Sequence, residues 1–347
     1  MKLVVIGCGG MGTYQAKKFL QQGSDIVGAI DHNPSTLKEF CSLFNVPWSS
    51  SRMEDLIEMQ GKADAVSCAL PDRFHLPCCS LVLRLGFALF AEKPLGLDLP
   101  QTLAIVDASE RSSLPAMINY SKRNMPALHA LKTLLDQDGL GPIQSVSIRY
   151  AQGWVRTNAW GDWRTTSRWK WRLMPSMSNG GCIGDLSSHL VDALFFLFGN
   201  VFFSHTLHGT TLQQFVPDQG ISLDPSLALE FFSQGSVLVE YSGLLEVGED
   251  IPCLLSCTQI SPDCDDLFSI IVTGSEGEAT LDSSLSRSAV QVSYSDGSDI
   301  AIEGPSVDST YGLFARWVDS GIASSPTLYD GLRVQKILEE MKQWRSN

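Results

Sequence analysis

The first 120 residues alternate between short apolar runs and segments with helical spacing. Strands are predicted at residues 2–6 ("KLVVI"), at residues 63–70 ("ADAVSCAL") and in the runs "DIVGAI", "FALFAEK" and "LPAMINY". Strands that alternate with helices predict a doubly wound parallel sheet, which binds its ligand at the carboxyl ends of the strands. The pattern therefore predicts an α/β domain over residues 1–120.

The pattern changes beyond residue 120. A predicted helix near residues 125–137 precedes the strand "GPIQSVSIRYAQG", and further strand-like runs follow without helices between them. One of these is "SLALEFFSQGSVLVEYSG", where Gln234-Gly235 predicts a hairpin turn. Successive strands of this kind predict an antiparallel or mixed sheet, and so an α+β domain over residues 121–347.

A glycine turn, "GCGGMG", joins the first predicted strand to the first helix. Gly7, Gly9 and Gly12 suit a tight turn, a close approach of the backbone to a pyrophosphate, and tight packing of helix on strand. The helix N-terminus offers N–H groups and a partial positive charge to phosphates. Asp31 ends the second strand about 20 residues further on, where a carboxylate binds a ribose diol and repels a 2′-phosphate. This spacing favours NAD over NADP, although His32 could contact a phosphate; the alternative is a plain glycine turn followed by an Asx-turn.

Polar residues form one line along an apolar helix predicted within Gly180–Gly199, "GGCIGDLSSHLVDALFFLFG". Asp185, His189 and Asp192 follow each other at i, i+4 and i+7, which places them on one helical stripe. Three simpler explanations stay open at this point. Asp185 could cap the helix N-terminus, His189 could be a hydrogen-bonded core histidine, or both could bind zinc together with Cys182.

Composition narrows the classes of partner. A chain of 347 residues exceeds one ordinary core and predicts two domains. The formal net charge of −13 argues against nucleic acid, whose affinity for proteins depends on clustered Lys and Arg. The most apolar run, residues 190–203, is interrupted by Asp192 and is too short to cross a bilayer. The nine scattered cysteines and the lack of a leader-like segment favour reduced thiols in the cytoplasm.

Three separated motifs resemble the Gfo/Idh/MocA oxidoreductase family over essentially the whole chain: "GCGGMG", "AEKPLG" and "GDLSSHLVD". In addition, "FSIIVTGSEGEATLD" resembles the family's strand-turn-strand, and "SPTLYDGLRVQKILEEM" resembles its C-terminal helix. The resemblance implies a Rossmann domain followed by an α+β domain with a large, open, mostly antiparallel sheet. The open face would form a homodimer or homotetramer interface. The final helix, at about residues 327–345, would be able to pack back on the first domain.

The resemblance also implies catalytic roles for Lys93, Asp185 and His189, which would line the nicotinamide and the substrate. A secondary alcohol that is oxidised to a ketone must lose its hydroxyl proton to a base, and histidine has a suitable pKa. We therefore assign His189 as general acid/base, Lys93 as the cation that holds the reacting oxygen, and Asp185 as the ligand of a neighbouring hydroxyl. Lys93 is an alternative base, because a positive nicotinamide would lower its pKa. A cis peptide bond between Lys93 and Pro94 is also implied.

The complete predicted site follows from these motifs, and no metal is expected in it. Residues predicted to contact the cofactor are Gly7, Gly9, Gly10, Met11, Gly12, Asp31, His32, Leu70, Pro71, His75, Glu92 and Lys93. Residues predicted to contact the substrate are Lys93, Asn119, Arg123, Trp163, Trp171, Arg172, Asp185 and His189. Asn119 and Arg123 could equally make surface interactions at the domain boundary.

Residues 153–172 concentrate five of the eight tryptophans together with several arginines. Aromatic faces suit the C–H surfaces of sugars, and arginine suits hydroxyls, carboxylates or phosphates. The segment is interpreted either as a loop that covers substrate or as an arm that packs into a neighbouring subunit. The predicted function is an NAD(H)-dependent interconversion of a secondary alcohol and a ketone on a sugar, inositol or related polyol. The alternatives are an NAD-dependent glycosidase with transient oxidation and a non-catalytic regulator that binds NAD or sugar.

Overall fold

The computed structural model describes residues 1–221, 223, 225–232, 235–262 and 266–343. The chain divides into two compact units. The first contains Met1–Tyr120 and Asp308–Gln335, and the second contains Ser121–Val307 and the residues from Lys336 onward. Gln234 and the predicted helical residues 344–345 lie outside the described residues.

The sheet of the first unit has six parallel strands in the order β3-β2-β1-β4-β5-β6. The strands are β1 (Lys2–Ile6), β2 (Asp25–Ile30), β3 (Trp48–Ser50), β4 (Ala65–Cys68), β5 (Ala88–Ala91) and β6 (Ala116–Ile118). The helices between them are α1 (Gly10–Gln21), α2 (Pro34–Phe44), α3 (His75–Arg84) and α4 (Leu99–Ser112). This order reverses between β1 and β4, and an open α/β sheet binds ligands at such a reversal. The predicted doubly wound parallel sheet is confirmed.

The sheet of the second unit has eight strands in the order β14-β13-β12-β11-β7-β10-β9-β8. Neighbouring strands are antiparallel except for the parallel pair β7 and β10. The first five strands are β7 (Ile143–Ala151), β8 (Val201–Thr211), β9 (Leu238–Val247), β10 (Ile251–Thr258) and β11 (Leu267–Gly274). The last three are β12 (Gly277–Asp282), β13 (Ala289–Tyr294) and β14 (Asp299–Glu303). The predicted large, mostly antiparallel sheet is confirmed.

Helices and turns of the second unit precede and interrupt this sheet. They are α5 (Pro126–Asp136), α6 (Trp154–Thr157), α7 (Ser167–Lys170), α8 (Ser188–Phe198), α9 (Leu212–Asp218) and α10 (Pro225–Phe232). Helix α8 follows directly on a π-helical turn, Ile183–Ser187. α5 packs on β12, β13 and β14, whereas α8 packs on β7, β8 and β9, so these helices cover much of the sheet.

The prediction of a strand at the start of "SLALEFFSQGSVLVEYSG" is wrong, because residues 225–232 form α10. Leucine, alanine and glutamate favour helix, and proline is well tolerated in the first turn of a helix. Only the second half of the run is a strand, β9, as predicted.

Two further helices, α11 (Thr310–Ser320) and α12 (Leu328–Lys342), complete the chain. Tyr311 and Phe314 of α11 are buried in the core of the first unit. The Phe19 ring lies edge-on to Phe90, with ring centres 5.0 Å apart, and to Tyr311 at 5.1 Å. An aromatic cluster thus anchors α11 to the Rossmann-like sheet. No helix within the described residues is long and apolar enough to cross a membrane.

Candidate active site

Every predicted cofactor residue lies in the first unit, in a segment that follows the carboxyl end of a strand. The glycine turn follows β1, Asp31 follows β2, Leu70 follows β4 and Glu92 follows β5. Because these strands are parallel, their carboxyl ends share one edge of the sheet. The structure therefore brings the predicted cofactor residues to a common edge.

The glycine turn has the geometry that a dinucleotide pyrophosphate needs. Gly7 has a φ of +91°, and a Cβ there would lie 2.4 Å from the carbonyl oxygen of Ala69. A Cβ at Gly12 would lie 1.8 Å from the carbonyl oxygen of Gly7, so no side chain fits at either position. A Cβ at Gly9 would meet nothing within 4 Å, and no side chain caps the start of α1. The backbone at Gly9 is therefore open to a ligand, and the residues present fit NAD.

Asp31 is fixed by backbone donors on both sides. Its Oδ2 accepts from the Cys8 N–H at 2.8 Å, and its Oδ1 accepts from the Asn33 N–H at 2.8 Å. The first bond ties the end of β2 to the glycine turn. His32 is exposed beside Asp31, with its Nδ1 3.4 Å from Asp31 Oδ1. Each carboxylate oxygen can still accept a bond from a ribose hydroxyl, since it has a second lone pair.

Glu92 of the "EKP" motif is 6% exposed and is the centre of a buried hydrogen-bond network. Its Oε1 accepts from Gln15 Nε2 at 2.5 Å and from Asn119 Nδ2 at 2.8 Å, and its Oε2 accepts from the Lys93 N–H at 3.2 Å. Ser67 Oγ donates to the other end of the Gln15 amide. The predicted cis peptide bond between Lys93 and Pro94 is confirmed. The network fixes the backbone from which the half-buried Lys93 extends.

Asn119 is part of the same buried network. It is 4% exposed, and its amide bonds to Glu92, to the Tyr311 hydroxyl at 3.0 Å and to the Thr310 hydroxyl at 3.0 Å. Burial, together with the charge of Glu92, raises the pKa of Tyr311, so this phenol stays protonated. Both ends of its amide are bound inside the first unit, one of them to Glu92. A contact of Asn119 with substrate stays a prediction.

His75 is likewise buried. It is 1% exposed, and both ring nitrogens face backbone carbonyl oxygens. A direct contact of His75 with the cofactor stays a prediction. Sequence reasoning placed His75 correctly at the carboxyl edge but could not show that its ring points into the protein.

In the second unit, Asp185 lies inside the π-helical turn and does not cap a helix. π-Helical turns occur frequently at functional sites. Asp185 Oδ2 accepts from Gln259 Nε2 at 3.1 Å and lies 3.9 Å from Arg172 Nε. Gln259 is fully buried immediately after β10, and the Arg172 guanidinium stacks 4.4 Å from the centre of the Trp171 ring. The predicted residues Asp185, Arg172 and Trp171 are thus brought together.

His189, in the first turn of α8, is 7% exposed and lies against Tyr150 of β7, with ring centres 5.9 Å apart. The Tyr150 hydroxyl donates to Asp266 Oδ1 at 2.7 Å, and Lys122 Nζ lies 4.2 Å from the centre of the Tyr150 ring. Gln152 Nε2 donates to Asp266 Oδ1 at 3.0 Å. Burial and the Asp266 charge raise the pKa of Tyr150 well above its ordinary value. Tyr150 thus connects His189 to a polar cluster of amide, ammonium and carboxylate groups.

Sequence reasoning missed Tyr150, Gln152, Asp266, Lys122 and Gln259. The alternation of apolar and polar residues in two strands could have indicated three of these residues. Alternate residues of β7 are buried, and Tyr150 and Gln152 continue this buried face with polar groups. Gln259 likewise continues the buried face of β10. Polar residues at the end of an apolar alternating face indicate a site at that end of the sheet.

Asp192, the third member of the polar stripe, is paired with Arg123. Arg123 Nε donates to Asp192 Oδ2 at 2.9 Å, and one terminal nitrogen donates to Oδ1 at 2.6 Å. The Asp192 side chain is 2% exposed and the Arg123 side chain is 10% exposed. The Arg123 guanidinium thus forms a buried two-bond pair, and its contact with substrate stays a prediction.

The tryptophans of residues 153–172 pack mainly within their own unit. Trp163 is 1% exposed, donates through Nε1 to the Val155 carbonyl at 2.8 Å and lies edge-on to Phe231. Trp160 stacks on Trp154 with ring centres 5.8 Å apart and contacts Trp169 at 5.0 Å. The Trp163 ring is part of the core, and its contact with substrate stays a prediction.

The zinc alternative considered above would use Cys182 together with Asp185 and His189. Cys182 is buried, and its thiol lies against Cys257; burial raises the pKa of Cys182 well above its ordinary value. Within the described ranges, no group of three or more His, Cys, Asp or Glu residues is arranged to hold a metal ion.

Similar proteins share this architecture. Glucose-6-phosphate 3-dehydrogenase of Bacillus subtilis is 22% identical over 363 residues, which cover 100% of this chain and 97% of that protein. Oxidoreductase P35 of Formosa agariphila is 26% identical, and the match covers 57% of this chain and 60% of that protein. A levoglucosan dehydrogenase structure, in complex with NADH and levoglucosan, has a TM-score of 0.81 at 19% identity and covers 99% of this chain and 96% of its own. It shows the same fold.

Two family models match most of the chain. Residues 1–120 match the model described as "Oxidoreductase family, NAD-binding Rossmann fold". Residues 128–280 match the model of the GFO/IDH/MocA C-terminal domain. The chain therefore belongs to the Gfo/Idh/MocA family of oxidoreductases, and its first 120 residues are the NAD-binding Rossmann domain of that family.

Proposed function

We propose that the protein is an NAD(H)-dependent dehydrogenase that interconverts a secondary alcohol and a ketone on a sugar, inositol or related polyol. The observation that carries the proposal is the cluster in the second unit, where Asp185 and His189 follow each other on the π-helical turn and the start of α8. This cluster combines a carboxylate, an imidazole, a guanidinium and a phenol in one polar surrounding. The family to which the chain belongs adds the second support, an NAD-binding domain.

Bound NAD supplies a hydride acceptor for alcohol oxidation and, as NADH, a hydride donor for ketone reduction. The residues that would hold it are Gly7, Gly9, Gly10, Met11, Gly12, Asp31, His32, Leu70, Pro71 and Lys93. The open backbone at Gly9 and the uncapped start of α1 suit the pyrophosphate. Asp31 suits the adenosine ribose.

Lys93, Asp185 and His189 would carry the proton and charge chemistry. His189 would take the hydroxyl proton as general base, and it would return the proton in the reverse reaction. Lys93 would stabilise the negative charge that develops on the reacting oxygen. Asp185 would bind a neighbouring hydroxyl. Gln259 and Arg172 would hold its carboxylate in place for this contact.

The substrate class rests on two supports. Hydroxyl-rich substrates need several donors and acceptors, which the cluster of Asp185, Arg172, Tyr150 and Lys122 offers. The relatives are named as dehydrogenases of glucose 6-phosphate, levoglucosan and inositol. The common feature of these substrates is a ring that carries secondary hydroxyl groups.

We propose NAD rather than NADP as the preferred cofactor. The Asp31 carboxylate is only 10% exposed and is held in place by two backbone N–H groups. A 2′-phosphate there would face a fixed negative charge. Calorimetry should find tighter binding of NAD than of NADP, and tighter binding of NADP would overturn the choice.

The function is tested by absorbance of reduced nicotinamide with NAD⁺ or NADP⁺ and a panel of inositols, hexoses, anhydrosugars, polyols and sugar phosphates. We expect reduction of NAD⁺ with one class of sugar at mildly alkaline pH, and loss of the signal in His189→Ala with NADH binding retained. His208→Gln, an exposed site on β8, is the matched control and should keep full activity. Release of free sugar with no net NADH would indicate the glycosidase instead. Binding of sugar with no turnover would indicate the regulator.

We also propose that the open face of the second unit joins two copies of the chain into a homodimer, or further into a homotetramer. Leu254 of β10 is 40% exposed and Ile271 of β11 is 37% exposed. Both are in register with Ser147 of β7, and Leu254 is also in register with Leu244 of β9. This row presents apolar groups on an open sheet face. Sedimentation should show an oligomer that Leu254→Asp/Ile271→Asp dissociates, and a wild-type monomer would contradict the proposal.

A further inference from the structure

His75 has an arrangement of hydrogen bonds that a neutral imidazole cannot make. Nδ1 lies 2.9 Å from the carbonyl oxygen of Pro94 and 3.3 Å from that of Leu95. Nε2 lies 2.8 Å from the carbonyl oxygen of Leu70. The ring is 1% exposed, so water does not replace any of these contacts.

Backbone carbonyl oxygens only accept hydrogen bonds. A neutral histidine donates from one ring nitrogen and presents a lone pair on the other, whereas the imidazolium donates from both. A neutral His75 would therefore direct a lone pair at a carbonyl oxygen less than 3 Å away, in a buried place. Both short contacts are satisfied only when the ring is protonated.

The surroundings of the ring favour the charged form. The ionisable groups that face it are Cys68 on β4, Asp72 in the preceding turn and Glu92 at the end of β5. Burial by itself lowers the pKa of His75, but Cys68, Asp72, the Leu70 carbonyl and Glu92 together raise it above its ordinary value. Because the pKa is raised, the imidazolium persists to higher pH than in an exposed histidine.

We propose that His75 is a positioning residue, a buried imidazolium that ties the loop after β4 to the loop after β5. The first loop includes Leu70 and Pro71, and the second includes Lys93 and cis-Pro94. The charge of His75 thus holds together two segments of the cofactor-binding edge. Its effect on Lys93 chemistry rests on the proposed function, whereas its effect on cofactor binding rests only on the NAD-binding domain.

The charge is tested directly by NMR of protein labelled with ¹⁵N at histidine. The sequence has 6 histidines, and the His75 signals are those lost in His75→Gln. At about pH 8, well above the ordinary histidine pKa of ~6.5, we expect both ring nitrogens of His75 to be protonated. A neutral tautomer at that pH, with one unprotonated ring nitrogen, would overturn the proposal. This experiment needs neither substrate nor turnover, so its result is independent of the proposed reaction.

The positioning role is tested by NADH binding to the full chain. His75→Gln should weaken NADH about tenfold or more, the change expected when a charge-assisted hydrogen bond is lost. His208→Gln, which also removes one histidine, should bind NADH as the wild type does. His32 lies beside Asp31 in the predicted cofactor site, so the pH series is measured in a His32→Gln background. There, NADH affinity should fall as the pH rises through the transition that NMR reports for His75, and the fall should vanish in His75→Gln. Unchanged NADH affinity in His75→Gln, with the fold intact, would contradict the positioning role.

Discussion

The two units hold their polar groups in different ways. In the first unit, main-chain groups hold Asp31 and His75: Asp31 accepts from backbone N–H groups, and His75 meets backbone carbonyls. Glu92 is the exception there, because the side chains of Gln15 and Asn119 bind it. In the second unit, side chains hold side chains. Gln259 holds Asp185 over a sequence separation of 74, and Arg123 holds Asp192 over 69.

This difference explains which parts of the site the sequence reveals. A backbone contact is a property of a turn, and a turn has a local signature in glycine, proline and the length of the segment. A side-chain pair between distant elements has no local signature. The glycine turn and Asp31 could therefore be predicted, whereas the partners of Glu92, Asp185 and Arg123 could not.

Among the variants that test this difference, Arg123→Met should have the largest effect on stability. This variant leaves the Asp192 carboxylate buried without its two-bond partner, which should lower the free energy of unfolding by about 3–5 kcal/mol. Denaturation in urea measures it.

The control for that variant is Lys132→Met, which breaks a pair with Asp136 on the surface of α5. It should cost less than about 1 kcal/mol, since exposed ion pairs contribute little. The double variant Arg123→Met/Asp192→Leu should regain much of the stability lost in the single variant. Equal costs for Arg123→Met and Lys132→Met would show that the buried pair has no special role.

A smaller effect is expected from Gln259→Leu, which removes the donor to Asp185. The loss of a hydrogen bond to a carboxylate, about 1.5–3 kcal/mol, should lower kcat/KM for the sugar by roughly tenfold to a hundredfold. NADH affinity should not change. In an Asp185→Ala background, Gln259→Leu should have little further effect on kcat/KM. An equally large loss in that background would mean that Gln259 acts independently of Asp185.

The polar stripe was predicted on the assumption of a regular α-helix. The spacing of Asp185, His189 and Asp192 predicts one line, but the π-helical turn changes the phase of the helix before α8 begins. Asp192 then meets Arg123, while Asp185 meets Gln259. A helical wheel assumes an unbroken α-helix, so it cannot show this change of phase.

The smallest effects are expected at the glycine turn. There Gly12→Ala should change stability, whereas Gly9→Ala should change NADH binding. Gly12→Ala places a methyl group 1.8 Å from the Gly7 carbonyl oxygen and should destabilise the fold by about 1–3 kcal/mol. Gly9→Ala meets no atom within 4 Å and should leave stability within about 0.5 kcal/mol of wild type. It should nevertheless weaken NADH, because the methyl group lies where the pyrophosphate approaches. Unchanged NADH binding in Gly9→Ala would contradict the placement of the pyrophosphate.

The tryptophan-rich segment and α10 were harder to predict for a common reason. Trp163 and Phe231 belong to the same core although they lie far apart in sequence, and α10 supplies Phe231 to it. Aromatic side chains suit sugar binding, subunit interfaces and cores equally well, so composition alone does not distinguish these roles. Only the packing shows that Trp163 is a core residue.

The role of His189 is tested most directly by the rate of nicotinamide reduction in a single turnover. The experiment uses bound NAD⁺ and the sugar identified with the substrate panel. His189→Ala should lower that rate by roughly 10²–10⁴, the contribution expected of a general base. NADH affinity and the free energy of unfolding should stay close to their wild-type values. A His189→Ala protein that reduces NAD⁺ at the wild-type rate would contradict the proposal that His189 takes the hydroxyl proton.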